Sequence, residues 1–509
     1  MNATSASTDS VSTTPTAPGD RAQRRAAARR RTLALGSAAL LASGTGAIVA
    51  VTSGIASASG PLDVTTCADS GGGSLRDAIA YANGHGGPDT ITITASCPIA
   101  SPVALISTLE VTGDGLTITG PGASAFVLDG DDSVRVLKVT GSGDFAISGV
   151  GIQAGYTLDG DGAGLWSRTS GAVTITGVSF SDSTAQGDAR GGGANVRGAG
   201  SVTIADSTFA SNQGTQGGGG LYVNQVGDVT LTGDVFLDNA ASSGAGGGAH
   251  FYSVDSLTIT DSTFSGNEAT GSAGGLYAGN SGPITVSSST FDGNSASNGG
   301  GIRIYSNRGD IRIVNSTITG NAAAVNGGVA LLYFYGDAEI AFTTIADNTN
   351  GGLATTGLPE QTLTVTGSIF SGNAVPASLY FEVRVDNADV TVVEDHNLFD
   401  GAVLGFTPDA TDVLYADPLL GALADNGGPT RTRALGAGSP AIGAGPTSFA
   451  PFPGSEYDQR GVGFDRVSGG EDNVTVVLAD IGAFEVQAVR PTPQPTPEPE
   501  PQPEPTFTG

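Results

Sequence analysis

The stretch Leu257-Thr-Ile-Thr-Asp-Ser-Thr-Phe-Ser-Gly-Asn-Glu-Ala-Thr-Gly-Ser-Ala-Gly-Gly-Leu-Tyr-Ala278 decides the fold, because its plan returns about every 27 residues. It begins with a run, Leu257 to Thr260, that alternates apolar with polar residues, as does a β-strand with one buried face. An Asn turn and a glycine pair follow, and a third short run, Leu276 to Ala278, comes after the glycines. A fixed period of this length predicts units that stack on one another to complete a shared core.

Two residue columns mark the repeat, an aromatic or Ile residue and, three residues later in all copies but the first, an Asn. The aromatic column consists of Phe180, Phe209, Phe236, Phe264, Phe291, Ile318, Ile345 and Phe370. The Asn column consists of Asn212, Asn239, Asn267, Asn294, Asn321, Asn348 and Asn373. Asn tolerates the left-handed backbone region, bonds to nearby backbone and stacks from unit to unit. We therefore expect the Asn column, like the glycines that permit positive φ, to be structural.

Three strands and three turns per repeat predict an all-β, single-stranded, right-handed parallel β-helix with about 27 residues per coil. Leucine-rich and ankyrin repeats would require helical periodicity, which is missing. The composition agrees, since the chain of 509 residues has 80 Gly, 14% charged residues and a mean hydropathy of +0.05. Such a chain can bury a long, narrow core.

The formal net charge of −28 argues against nucleic acid and anionic membranes as partners, because phosphate binding requires clustered cations. At the N-terminus, a basic block from Arg21 to Arg31 precedes a weakly apolar run, Leu33 to Val51, and the motif Ala56-Ser-Ala58. This order predicts an export leader over residues 1–58. A twin-arginine route and an uncleaved anchor remain open. We expect a secreted or cell-surface monomer with no membrane span in the mature chain.

Residues 59–115 are predicted to form an N-terminal cap. In an exported chain, the pair Cys67 and Cys97 predicts a disulfide. Between them, Ser74 to Asn83 predicts a short helix with Ser74 as N-cap and Asp77 at capping-box spacing. Its apolar face should cover the first coil, whose open edge would otherwise recruit other strands. That face consists of Leu75, Ala78, Ile79 and Ala82.

Three parts of the chain resemble known exported proteins. Gly73-Ser-Leu-Arg-Asp-Ala-Ile79 and Asp89-Thr-Ile-Thr-Ile93 resemble the opening of bacterial β-helix proteins related to the CSLREA-type domain, with Gly73 where that type has Cys. The repeats, such as Phe264-Ser-Gly-Asn267, resemble units of polymorphic outer-membrane proteins and bacterial adhesins. The region after the coils is similar to the choice-of-anchor Q domain. Its matching motifs are His396-Asn-Leu-Phe399, Asp417-Pro-Leu-Leu-Gly421, Asp425-Asn-Gly-Gly-Pro-Thr430, Gly438-Ser-Pro-Ala-Ile-Gly443, Asp458-Gln-Arg-Gly461 and Asp480-Ile-Gly-Ala-Phe-Glu485.

These resemblances imply a pectate-lyase-like solenoid at an exported surface and no particular activity. They place the β-helix at 116–400 and the choice-of-anchor-Q-like region at 401–490. The end of the chain, 491–509, is rich in Pro and Glu and is predicted to be disordered and extended, like a stalk. It contains no LPxTG motif and no closing apolar helix, so the anchoring route stays open.

In the strand after the glycines, the second and fourth residues should face outward. With coils about 4.8 Å apart, they would form a strip of rings and guanidinium groups about 25 Å long that can hold an extended glycan. The alternative is that these residues only form cross-strand ladders. The predicted glycan-binding residues, here called the aromatic strip, are Trp166, Arg168, Asn195, Arg197, Tyr222, Asn224, His250, Tyr252, Tyr277, Arg303 and Tyr305.

Catalysis is the competing hypothesis, because pectate lyases and polygalacturonases share this type of coil. Glycoside hydrolysis requires two carboxylates about 5 to 9.5 Å apart, and the strip itself contains no Asp or Glu. The nearest pairs, Asp206 with Asp261 and Asp182 with Asp238, occupy turns, where Asp is normally structural. We therefore assign no catalytic residue, although an acidic residue held over the strip by a loop would favour an enzyme.

The sequence thus predicts a non-catalytic surface protein that functions in display or adhesion, with glycan contact along the strip. A polysaccharide lyase or glycoside hydrolase acting on acidic polysaccharide is the alternative, and a structural spacer is a second one. No cofactor or metal site is assigned. Two Asp-Gly segments, Asp129 to Asp132 and Asp159-Gly-Asp161, are candidate Ca²⁺ loops, because hard cations take oxygen ligands.

Overall fold

The structure is a computed structural model that describes residues 62–373, 381–446, 455–466 and 478–487. The predicted leader, 1–58, and the Pro/Glu-rich tail, 491–509, lie outside the described residues. Within the described part of the chain, no helix combines the length and apolar character needed to cross a membrane.

The chain coils into a right-handed parallel β-helix, as predicted. One side of each coil, here called the strip side, carries the strand that follows the glycines. It consists of Leu109–Val111, Leu137–Val139, Leu165–Ser167, Ala194–Arg197, Leu276–Gly279, Ile302–Tyr305, Val329–Leu332, Leu353–Thr356, Val383–Val385 and Val403–Leu404.

The next side, the Thr side, exposes many threonines. It consists of Leu62–Val64, Asp89–Ile93, Leu116–Thr119, Phe145–Ser148, Ala172–Thr176, Ser201–Ala205, Ile284–Ser287, Ile311–Val314, Ala338–Ala341, Thr362–Thr366 and Thr391–Asp395. Two long strands, Leu221–Thr232 and Ala249–Thr260, run through both sides, and together the two sides form one 23-stranded sheet.

The third side, the Phe side, carries the aromatic column in a 13-stranded sheet. It consists of Val103–Ala104, Val127–Asp129, Gly151–Gln153, Ser179–Ser181, Thr208–Ala210, Val235–Leu237, Thr263–Ser265, Thr290–Asp292, Thr317–Thr319, Thr344–Ala346, Ile369–Ser371, Leu398–Phe399 and Val413–Leu414.

Besides the three predicted strands, the central coils have a fourth, shorter one between the Asn column and the glycines. Its members are Tyr156–Thr157, Thr184–Ala185, Gln213–Gly214, Ala240–Ala241, Glu268–Ala269, Ser295–Asn298 and Ala322–Val325. The residues between the two corners have an extended backbone, so they form parallel backbone hydrogen bonds with the same residues of the next coil.

The core is one continuous stack of inward side chains. Along the Phe side, Phe209, Phe236 and Phe264 pair in register and are fully buried. Their rings stack nearly parallel with centroids 4.8 and 4.5 Å apart. Each coil therefore completes the apolar surface of the coil before it, which is how a narrow solenoid obtains a core.

The Asn column forms a directional ladder inside the corner after the Phe side. In the middle coil, Asn294 donates from its backbone N and from Nδ2 to Oδ1 of Asn321, at 3.0 and 2.9 Å. Its Nδ2 also donates to the carbonyl of Phe264 in the preceding coil. The ladder ends at Glu382, whose carboxylate accepts both bonds from Asn373 in place of another Asn. The predicted structural role of the Asn column is therefore confirmed.

The predicted helix spans Leu75–Gly84, and Ser74 caps it by accepting a hydrogen bond from the backbone N of Asp77. Its expected apolar face is buried. Two polar side chains also bond to the backbone at the edge of the first strip-side strand. Arg76 donates to the carbonyls of Ser107 and Thr108, and Asn83 bonds to Glu110 and Thr112. The helix thus satisfies groups that a preceding coil would otherwise satisfy.

The predicted disulfide between Cys67 and Cys97 is present, with Cα atoms 5.7 Å apart. It joins the segment before the helix to the residue that bridges to Phe126 at the first corner of the Phe side.

After the coils, the chain turns back along the Phe side. An antiparallel pair, Leu420–Ala424 with Thr432–Leu435, begins this segment. Gln459 then lies against the coils, where its Oε1 accepts from Thr317 and its Nε2 donates to Thr290. Two of the motifs quoted above for the choice-of-anchor Q resemblance meet here in a buried network, since Asp458 pairs with Arg460 and accepts from the backbone N of Glu485.

Candidate functional site

The structure places the predicted strip residues in two parallel columns on the outer face of the strip side. The first column pairs Trp166 with Asn195, then continues in register through Tyr222, His250, Tyr277 and Arg303. The second column contains Arg197, Asn224, Tyr252 and Tyr305, with Gly279 between the two tyrosines. Arg168 follows directly after its strand and is exposed.

Rings in the first column contact one another from coil to coil. The His250 ring lies 4.9 Å from Tyr222 and 4.6 Å from Tyr277, tilted by more than 50° to each. Burial lowers the pKa of His250 to about 4, and its Nδ1 donates to the carbonyl of Ala245. His250 is therefore a neutral ring at ordinary pH, and it continues the aromatic run between the tyrosines.

A column of glycines, here called the glycine wall, lies against the first column of the strip. Each is four residues before a strip residue, and its positive φ turns the chain beneath that side chain. A Cβ added to Gly218 would lie 2.8 Å from Cβ of Tyr222, and one added to Gly246 would lie 2.8 Å from Cβ of His250. A larger residue at Gly218 or Gly246 would therefore require its neighbours to shift. The other members of this glycine wall are Gly162, Gly191 and Gly299, and Ala273 with φ of 58° stands in the coil of Tyr277.

Two strip residues expected to present themselves to solvent are covered instead. Asn195 has no exposed surface and Tyr222 is only 6% exposed. The guanidinium groups of Arg190 and Arg197 lie over the Tyr222 ring, 5.7 and 5.2 Å from its centroid, and Asn195 donates to the carbonyl of Arg190. The period-two pattern gives the direction of these side chains correctly, but long side chains from the neighbouring corner cover them.

A carboxylate from a neighbouring corner lies beside the strip, although the strip residues themselves include no Asp or Glu. Oδ2 of Asp161 is 3.1 Å from Nη2 of Arg197, and its Oδ1 accepts from the backbone N of Arg190. Arg135 holds the same loop by donating to the carbonyls of Asp161 and Gly162, with its guanidinium 5.9 Å from the Trp166 ring. We call Arg135, Asp161, Trp166, Arg190, Arg197 and Tyr222 the arginine cluster.

The strip also extends further in both directions than the sequence indicated. Lys138 pairs in register with Trp166 and forms an ion pair of 3.1 Å with Glu110 in the preceding coil. At the other end, the Tyr333 ring meets Tyr305 edge-on at 5.6 Å. Tyr333 was missed because it lies one residue beyond the strand, in a left-handed turn position with φ of 56°.

Residues 105–291 and 247–405 match the family described as right handed beta helix region. The chain belongs to this β-helix family. No curated protein sequence matches the chain.

Solved structures with a similar coil include a pectate lyase, Pel9A, at 15% identity and a TM-score of 0.37, covering 84% of this chain and 97% of that one. The A-module of the Azotobacter vinelandii mannuronan C-5 epimerase AlgE6 has 15% identity and a TM-score of 0.31, covering 68% of this chain and all of its own. ORF18 of Geobacillus virus E2 has 13% identity and a TM-score of 0.26, covering 64% and 61%. Similarities this low carry no information about the activity of this chain.

The Asp pairs considered for catalysis are turn residues in this family member. Asp182, Asp206, Asp238 and Asp261 all have φ between 51° and 54°, a left-handed conformation that Asp tolerates in turns. Burial raises the pKa of Asp261 to about 6. All four serve the corners of the coil, as the sequence argument expected.

One carboxylate in each of the two candidate Ca²⁺ loops of this β-helix is bonded within the protein. Asp129 accepts from Nε2 of Gln153 and from the backbone N of Asp131, and Asp161 pairs with Arg197 as described. In the described part of the chain, a group of three carboxylates with oxygen atoms within 4.8 Å of one another lies elsewhere, on the half-buried Glu394 and Asp412 and the exposed Asp409.

Proposed function

We propose that this protein is a secreted or cell-surface glycan-binding protein without catalytic activity, which presents the aromatic strip to an extended polysaccharide. The observation that carries the proposal is the contact between the half-buried His250 and Tyr277 rings, continued at the edge of the strip by the exposed Tyr252 and Tyr305. Aromatic faces pack against the apolar faces of sugar rings, and flanking guanidinium groups donate to their hydroxyls. Coils about 4.8 Å apart supply such contacts along a line.

A polysaccharide-active enzyme is the second candidate, favoured by the position of Asp161 beside the strip. Its carboxylate is ion-paired with Arg197, however, and hydrolysis requires a pair of carboxylates with separate acid and base roles. The other strip carboxylate, Glu110, is likewise paired with Lys138. Both carboxylates form ion pairs with basic side chains, so we favour glycan binding over catalysis.

Two features support a location outside the cytosol. The Cys67–Cys97 disulfide is of a kind that persists in oxidising compartments, and residues 1–58 read as an export leader. The resemblance of the C-terminal region to the choice-of-anchor Q domain supports display at a surface.

The test is retention of the full chain on immobilised plant and microbial polysaccharides, together with an assay for new reducing or unsaturated ends. Tyr252→Ala/Tyr305→Ala removes two exposed strip rings, and Tyr81→Ala/Tyr415→Ala removes two exposed rings elsewhere. Loss of retention in the strip variant alone, without product, supports the proposal. Product that Asp161→Asn abolishes would establish the enzyme instead. Absence of both retention and product would contradict both functions and would favour the structural spacer.

A further inference from the structure

The basic side chains of this acidic protein are distributed very unevenly. Between Asp77 and Ile302, every Lys and Arg belongs to one end of the aromatic strip, while the acidic residues of the same segment are far more numerous and are spread around the coils. A local concentration of cations in a chain of net charge −28 is a place to which an anion is attracted. The basic residues in question are Arg135, Lys138, Arg168, Arg190 and Arg197.

Only two of these five basic side chains form ion pairs within the described part of the chain. Asp161 pairs with Arg197, and Glu110 pairs with Lys138. Among the described residues, neither Arg168 nor Arg190 has a carboxylate within ion-pairing distance, and Arg135 is held only by backbone carbonyls. Three of the five basic side chains at this end of the strip thus form no ion pair with a described carboxylate.

The guanidinium groups are also arranged to accept a ligand. Arg190 and Arg197 lie over the Tyr222 ring, 5.7 and 5.2 Å from its centroid, and a guanidinium offers planar N–H groups that match planar oxyanions. Asp161 fixes Arg197 through a single ion pair at Nη2, so it is a positioning residue.

Unsatisfied polar atoms lie at the same place. Nε of Arg197 and Oδ1 of Asn195 are buried without a hydrogen-bond partner among the described residues. Buried polar atoms are rarely left unpaired in folded proteins, and those that are commonly mark a place for a ligand or water. The Asn195 side chain is fully buried, while Arg197 remains about one-third exposed and accessible to a ligand.

We propose that the arginine cluster is a subsite for an anionic glycan, in which Arg190 and Arg197 bind a carboxylate of a uronic acid or a sulfate ester. The sugar ring that carries the anion packs against Trp166, and the polymer continues over His250 and Tyr277. This inference rests on the proposed function and deepens it by naming the class of glycan. It also accounts for a cluster of cations in a protein that is otherwise strongly acidic.

The test uses the full chain and two matched pairs of polymers, polygalacturonate against its methyl ester and dextran sulfate against dextran. Trp166 is the only Trp and belongs to the cluster, so its fluorescence reports binding there directly. The cluster variant is Arg190→Gln/Arg197→Gln. The control, Arg312→Gln/Arg431→Gln, removes the same charge from the other sides of the β-helix, and circular dichroism checks the fold of both.

We expect the parent to bind the charged member of at least one pair about tenfold more tightly than the neutral member, with an advantage that falls as salt rises. The cluster variant should lose that advantage and keep its affinity for neutral polymer, while the control keeps both. Preference for polygalacturonate identifies a carboxylate ligand and preference for dextran sulfate a sulfate. Equal binding of charged and neutral polymers, or equal affinity of the cluster variant and the control, overturns the subsite but not glycan binding. Failure to bind any polymer overturns both.

Discussion

Replacing Asn294 by Ala would remove the central rung of the Asn ladder. Its side chain takes part in four hydrogen bonds at a fully buried site, donating to Phe264 and Asn321 and accepting twice from Asn267. Truncation leaves the backbone N–H of Asn267 and the carbonyl of Phe264 without these partners. Each orphaned buried group costs about 1–3 kcal/mol, so the free energy of unfolding should fall by about 2–6 kcal/mol. This is a large fraction of the stability of an ordinary domain, which is about 5–15 kcal/mol.

The measurement is urea denaturation followed both by far-ultraviolet circular dichroism and by the fluorescence of Trp166. Because coils of a solenoid contact only their neighbours, the two probes distinguish global unfolding from local loss of the coils around Asn294. Thr285→Ala is the control, since Thr285 is a half-buried outward residue in the same coil. A loss for Asn294→Ala below about 1 kcal/mol, or no greater than that of Thr285→Ala, would refute the view that the ladder holds the coils together.

Two further predictions concern other parts of the coil. Burial raises the pKa of Glu382 to about 8, so the folded protein favours the neutral carboxyl group. The contribution of this group to the free energy of unfolding is complete below its ordinary pKa and is lost as pH rises through 8. The decrease in urea midpoint between pH 5 and pH 9 should therefore be smaller in Glu382→Gln than in the parent, and equal decreases would contradict this assignment. Gly218→Ala and Gly177→Ala both place Ala at φ of 59°, but only Gly218 faces a neighbouring Cβ at 2.8 Å. Thermal unfolding should show a loss of about 1–3 kcal/mol for Gly177→Ala and a larger loss for Gly218→Ala, and similar losses would argue that the wall contact is unimportant.

The coil could be predicted because its cause is local. Aromatic and Asn residues that return at a constant spacing must occupy the same place in successive coils, so burial of Phe236 and Phe264 and the bonding of Asn267 follow from the period. The strand pattern likewise gave the outward direction of Tyr222. The sequence carried no information on what would cover that ring.

The arginine cluster escaped prediction because it forms between coils. Asp161 and Arg197 come from a corner and a strand more than one repeat apart, and the corners vary in length. The return of the C-terminal segment escaped for a similar reason, since the contact between Thr317 and Gln459 joins residues separated by 142 positions. Only the glycine that lies four residues before every first-column residue except Tyr277 was visible in the sequence as a signal that the site is built around those side chains.

The glycine wall has a consequence for how such a protein can change over evolutionary time. The wall accommodates a Trp, an Asn, a Tyr, a His or an Arg at equivalent positions without altering the backbone beneath them. A coil of this plan thus offers an outward position that accepts side chains of different size and charge, while Phe and Asn keep the register. Specificity can then diverge one coil at a time by point mutation, with the framework left intact.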